Sequence, residues 1–122
     1  MDTRKLQKIA VAALEDIKGK DIEVINTSKL SALFDRIIIA TGDSNRHVKS
    51  LARSVHDKVK EAGGQVIGIE GEEAGEWVLV DLGDIVVHVM QPVVRAYYNL
   101  EELWKVAPKR ARKKADSDAE GA

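Results

Sequence analysis

The stretch Glu76–Met90, EWVLVDLGDIVVHVM, sets two apolar runs on either side of Gly83-Asp84. Runs rich in β-branched residues, separated by a Gly-containing turn, predict a β-hairpin of Glu76–Leu82 with Ile85–Met90. Side chains alternate along a strand, and a two-residue turn pairs positions at a constant sum of numbers. Whether the loop is Gly83-Asp84 or Leu82-Gly83, odd positions of the first strand therefore join even positions of the second. One face holds Val78, Val80, Leu82, Ile85, Val87 and Val89; it is wholly apolar and belongs beneath helices. The other holds Trp77, Leu79, Asp81, Val86, His88 and Met90, a mixture of aromatic, thioether and polar groups that a dry core rarely assembles. That composition suits contact with another molecule, and these six are the candidate partner-binding residues. The competing reading is that the terminal helix or the tail folds back over this face, making Trp77 ordinary core and leaving His88 satisfied by a neighbour.

Working outward, Val66–Ile69 predicts a third strand before the hairpin, and Pro92 after it stands where a first helical turn tolerates proline. A last helix is expected through Tyr97–Trp104. Upstream, Val48, Leu51, Ala52, Val55, Val59 and Ala62 keep helical spacing, with Asp43 or Ser44 as the N-cap and Gly63-Gly64 as the stop. Before that helix, FDRIIIAT (Phe34–Thr41) has the continuous β-branched run of a strand buried on both faces, a central strand. Ile22–Ile25 is a shorter strand. From Thr3 to Lys18, Leu6, Ile9, Ala10, Ala13, Leu14 and Ile17 form one apolar stripe, which Gly19 ends. The order α-β-β-α-β-β-β-α, with a strand–helix–strand crossover and an antiparallel hairpin, predicts an α/β fold with a mixed sheet and helices mainly on one face. The other face is expected to be open.

A chain of 122 residues with a net charge of −1 is most simply one domain, without the basic body of a nucleic-acid clamp. We expect that domain over 1–107 and a disordered charged tail over 108–122, where KRARKKADSDAEGA has no apolar period. The absence of cysteine excludes disulfides, thiolate catalysis and Cys-ligated zinc. Regularly spaced charges in MDTRKLQKIAVAALEDIKGK are unlike a secretory signal, and no apolar run approaches the roughly 20 residues that span a bilayer. A soluble cytoplasmic protein is expected.

Candidate chemistry is thin. His47 and His56 are nine positions apart on one helix and point to nearly opposite sides, and neither begins a His-Glu-x-x-His pattern, so no metal site is expected. ATGDSNRH enters a helix N-terminus with Arg46 beside it, but one glycine without a P-loop lysine reads as a capping turn. Asp81 and Asp84 could hold magnesium for nucleotidyl transfer, yet no third carboxylate converges on them and Asp84 has a turn role. No catalytic residue and no cofactor are therefore assigned; the alternative function is a nucleotidyltransferase or nucleotide-binding enzyme.

Three stretches taken together, ATGDSNRHV (Ala40–Val48), GIEGEEAGEWVLVDLGDIVVHVM (Gly68–Met90) and YYNLEELW (Tyr97–Trp104), resemble the ribosome silencing factor family, also called Iojap-like proteins. The resemblance covers Leu6–Trp104 and departs at Arg36, where the family has a small or apolar residue. It implies a nucleotidyltransferase-like α/β fold without a working active site. It further implies binding to the large ribosomal subunit through ribosomal protein fourteen, blocking the small subunit from joining and repressing translation under nutrient limitation. The hairpin's mixed face would be the docking surface; the tail would suit ribosomal RNA, and the open face would also suit a homodimer off the ribosome.

Overall fold

In the computed structural model, which describes residues 1–105, Asp2 caps the first helix, α1 (Thr3–Asp16), by accepting the Lys5 amide at 2.8 Å. The helix ends at Asp16, two residues short of the Lys18 expected, because Lys18 itself takes the left-handed conformation at φ 60°. Gly19 serves a different need: a Cβ there would lie 3.0 Å from the Leu14 carbonyl oxygen and 3.1 Å from Leu51, so a side chain would press these neighbours aside. Strand β1 (Lys20–Asn26) and strand β2 (Arg36–Thr41) follow, and Ser44 caps helix α2 (Asn45–Glu61). That helix ends as the sequence predicts. Gly63 at φ 87° donates to Lys60 and Gly64 to Val59, which satisfies two of the last carbonyls. Strands β3 (Gly68–Glu70), β4 (Trp77–Asp81) and β5 (Ile85–Met90) complete the sheet.

The strands lie in the order β1-β2-β5-β4-β3, with β2 parallel to β5 and every other pair antiparallel. The mixed sheet is therefore as expected, with two refinements. Strand β2 is interior and buried from Ile37 to Thr41, but β5 holds the middle of the order. The crossover through α2 carries the chain past β5 and β4 to the far edge, so the hairpin is inserted between the two strands it connects. In the hairpin Trp77 faces Met90 and Asp81 faces Val86, leaving a two-residue loop of Gly83 at φ 91° and Asp84.

That register puts Val78, Val80, Leu82, Ile85, Val87 and Val89 under α1 and α2, in one core with Leu14, Ile38, Leu51 and Val55. Each such side chain, fully withdrawn from water, contributes about 1.5–3 kcal/mol. The second face is not bare. The segment predicted as one last helix is two, α3 (Pro92–Tyr98) and α4 (Leu100–Lys105), because Asn99 turns left-handed at φ 49° between them. This short pair lies over Ile25, Ile37, Ile39 and Met90, with Phe34, Trp77, Val94, Leu100 and Trp104 packed around them. Two long helices on one face and two short ones on part of the other still put most helix on one side. The expected disordered tail, 108–122, lies outside the described residues.

Candidate functional site

What α3 and α4 leave uncovered is a groove of about 850 Å3 on the second face. Its floor comes from β2, β5 and β4 through Ile37, Val86, His88, Leu79 and Asp81. One wall is Phe34 with Leu100, Leu103 and Trp104, the rings of Phe34 and Trp104 meeting edge to face at 5.5 Å. Trp77 closes one part, and Glu70, Asp81 and Asp84 line it with carboxylates. Around the opening stand Leu33, Leu103 and Ile67, exposed at 84%, 68% and 63%. Large side chains so exposed beside an apolar groove form the kind of patch that binds other molecules.

Of the six residues singled out by hairpin parity, Trp77, Leu79, Asp81, Val86 and His88 line this groove, and Met90 does not. Met90 is 0% exposed and packs with Ile37 and Ile39. It is core, because the α3–α4 pair covers the end of the sheet where Met90 and Thr41 sit. His88 is also nearly buried, at 9% exposure. Trp77 is intermediate: its Nε1–H donates to His88 Nδ1 at 3.0 Å and its ring lies 4.8 Å from that of Tyr98. The two sequence-level alternatives therefore divide the face between them. The terminal helices fold over one half of it, and the other half is the groove.

Parity could not find the wall. Leu33, Phe34, Leu100, Leu103 and Trp104 come from other parts of the chain, and only the Leu-Glu-Glu-Leu-Trp spacing hinted at an apolar stripe. Arg95 was also missed. Its guanidinium donates to the Asp21 carbonyl at 2.7 Å, to Thr41 Oγ1 at 2.8 Å and to Glu101 at 2.8 Å, and stands 3.7 Å from Glu23. One side chain thus ties α3 to α4, β1 and β2, which holds the groove wall in place.

Several of the groups considered for chemistry have structural partners. Asp81 accepts the Gly83 amide at 2.9 Å and steadies the turn, while the Asp84 carbonyl accepts the amides of Asp35 and Arg36. In the ATGDSNRH loop, Ser44 accepts the His47 amide, and Asp43 pairs with Lys20 at 3.0 Å. His47 Nδ1 accepts the Asp43 amide, so its Nε2–H donates to the Ile17 carbonyl at 2.7 Å, tying the start of α2 to the end of α1. His56 contacts Asp57. Among the described residues no three His, Asp or Glu side chains gather as a metal site would need.

Burial lowers the His88 pKa from 6.5 to about 4. The unfolded chain then binds the proton that the folded chain refuses, so this contribution is complete above pH 6.5 and is lost as pH falls toward 4. The difference amounts to about 3 kcal/mol. Denaturant unfolding at steps between pH 7 and 4 should show that slope, and His88→Asn should flatten it; equal slopes in both proteins would contradict the assignment.

Comparison with known proteins adds a second line of observation. A family described as "Ribosomal silencing factor during starvation" matches residues 1–122. A "Ribosomal silencing factor RsfS" from Chromobacterium violaceum is 62% identical over 104 residues, covering 85% of each chain. A crystal structure of a protein from the same organism superimposes with a TM-score of 0.85 at 56% identity, over 98% of both chains. More distantly, a mouse protein named "Mitochondrial assembly of ribosomal large subunit protein 1" is 32% identical over 97 residues, which is 77% of this chain and 42% of that one.

Proposed function

The chain belongs to the ribosomal silencing factor family, and from that premise we propose that it docks on the large ribosomal subunit through ribosomal protein fourteen. Bound there, it keeps the small subunit from joining and so represses translation when nutrients are short. The observation that carries this reading is the groove: an apolar floor, aromatic walls, and exposed Leu33, Leu103 and Ile67 around it. The carboxylates of Glu70, Asp81 and Asp84 suit a basic partner surface. The mouse relative, named for assembly of the ribosomal large subunit, supports that subunit as the partner.

In this reading the fold is nucleotidyltransferase-like but works by occupancy, not chemistry. Asp81 serves a turn and Ser44 a helix cap, and the relatives are named as silencing factors, a regulatory role. No helix among the described residues is long and apolar enough to cross a membrane; action on ribosomes would place the protein in the cytoplasm. Off the ribosome, the same half-covered face would pair two copies. The basic run Lys109–Lys114, outside the described residues, would add contacts to ribosomal RNA.

Purified subunits mixed at association-promoting magnesium and run on a sucrose gradient test the proposal. The protein is expected to co-sediment with large subunits alone and to reduce the whole-ribosome peak, without any nucleotide. A full whole-ribosome peak at saturating protein would overturn the reading. If the tail contacts phosphates, affinity of the full chain falls more steeply with salt than that of a chain ending at Ala107; equal slopes would remove the RNA contact.

A further inference from the structure

We infer that His88 is a positioning residue: it acts on docking through Trp77, whose indole it holds in one orientation at the groove. The inference rests on the docking reading above and changes the role of His88 within it from contact to support. Trp77 pairs with Met90 and Leu79 with His88, so Trp77 and His88 are diagonal neighbours across the hairpin, a separation that large aromatic side chains bridge. The bridge is the Trp77 Nε1–H donated to His88 Nδ1 at 3.0 Å. The indole also meets the Tyr98 ring at 4.8 Å between centroids.

An indole N–H only donates, and in an apolar setting it needs an acceptor. Among the polar groups that line the groove, Asp81 already accepts the Gly83 amide through Oδ1. His88 supplies the acceptor, which puts its own proton on Nε2. At 9% exposure the imidazole offers a partner little area of its own. Burial also keeps it neutral at pH 7, so the lone pair that accepts the indole is not lost to a proton. Without that bond only packing against Tyr98 and the second-face core fixes the Trp77 ring, and docking would first have to select its orientation.

The test combines a spectroscopic signal in the free protein with binding to purified large subunits. Trp77→Phe assigns the Trp77 indole N–H signal against that of Trp104. His88→Leu, which fills space without accepting, is expected to shift that signal, speed its exchange with solvent, and weaken subunit binding about tenfold. His88→Asn keeps an acceptor near the Nδ1 position and should recover most of both. In a Trp77→Phe background, His88→Leu should weaken binding no further, because the group it acts through is gone.

An unchanged indole signal in His88→Leu would overturn the inference. So would an equal loss of affinity in both backgrounds, which marks His88 as a direct contact or a purely structural group. If His88→Leu does not fold, Trp77→Phe removes the same bond from the donor side and must itself weaken binding; wild-type affinity there is the contrary result. Wild-type protein that binds no large subunit defeats the docking reading and, with it, any effect on docking. The indole signal still reports separately whether His88 holds Trp77.

Discussion

Trp77→Ala is expected to weaken binding to the large subunit about 30-fold, roughly 2 kcal/mol, while Lys60→Ala on the exposed side of α2 changes it little. A large aromatic at the end of an apolar groove has the area and rigidity of an interface anchor. Because Trp77 also packs against the second-face core, the variant will lose stability as well, by about 2–3 kcal/mol for a partly buried ring. For a domain of this size that is a fall of about 10 °C or more in Tm, so binding must be measured well below the transition. Ile39→Ala separates the two effects. Ile39 is fully buried on the same face but does not line the groove, so its loss should cost comparable stability and leave affinity near wild type. If both variants bind equally poorly, stability explains the loss and Trp77 is no anchor. If Trp77→Ala still blocks subunit joining at wild-type concentrations, the groove is not the docking site.

Arg95→Met should be the most destabilising single change outside the apolar core, at about 3 kcal/mol. The guanidinium and the Glu101 side chain are 12% and 16% exposed, so removing the cation takes a poorly hydrated ion pair away from that carboxylate. Glu23, at 33% exposure, is better solvated and adds less. α3 buries none of its own residues and depends on this clamp to stay seated. The expected signature is therefore local as well as global: a lower Tm, and faster amide exchange in α3 and α4 than in α1 and α2. Arg95→Met combined with Glu101→Gln should recover part of the loss, since the charge that Arg95 balances goes with it. A double variant that adds the two single losses in full would show that the clamp is not a coupled unit.

The hairpin and its face assignment were legible because β-structure has a period of two and a two-residue turn leaves no freedom of register. Val78, Val80, Val87 and Val89 fell on the core side by arithmetic. The α2 boundaries were legible for a similar reason, since Ser44 and Gly63 meet backbone needs that arise within the helix itself. Motif-level likeness reached further than these local rules and pointed to the family, which the comparisons bear out over the whole chain.

The groove was not legible in the same way. Parity says which residues share a face but not what else lies across it, and here α3 and α4, tied down by Arg95, cover Met90 and spare Leu79. Whether a last helix stays continuous or breaks at Asn99 depends on what its two halves pack against, and that contact joins residues far apart in the chain. The wall of Phe34 and Trp104, the clamp from Arg95 to Asp21 and Glu101, and the bond from Trp77 to His88 are all of this kind. Local sequence therefore determined the hairpin, its turn and the two faces, because period and backbone chemistry act over a few residues, whereas β3 forms at Gly68–Glu70 and not at Val66–Ile69. Only the tertiary structure decided which part of the second face is core and which is groove, because that division depends on where distant side chains meet.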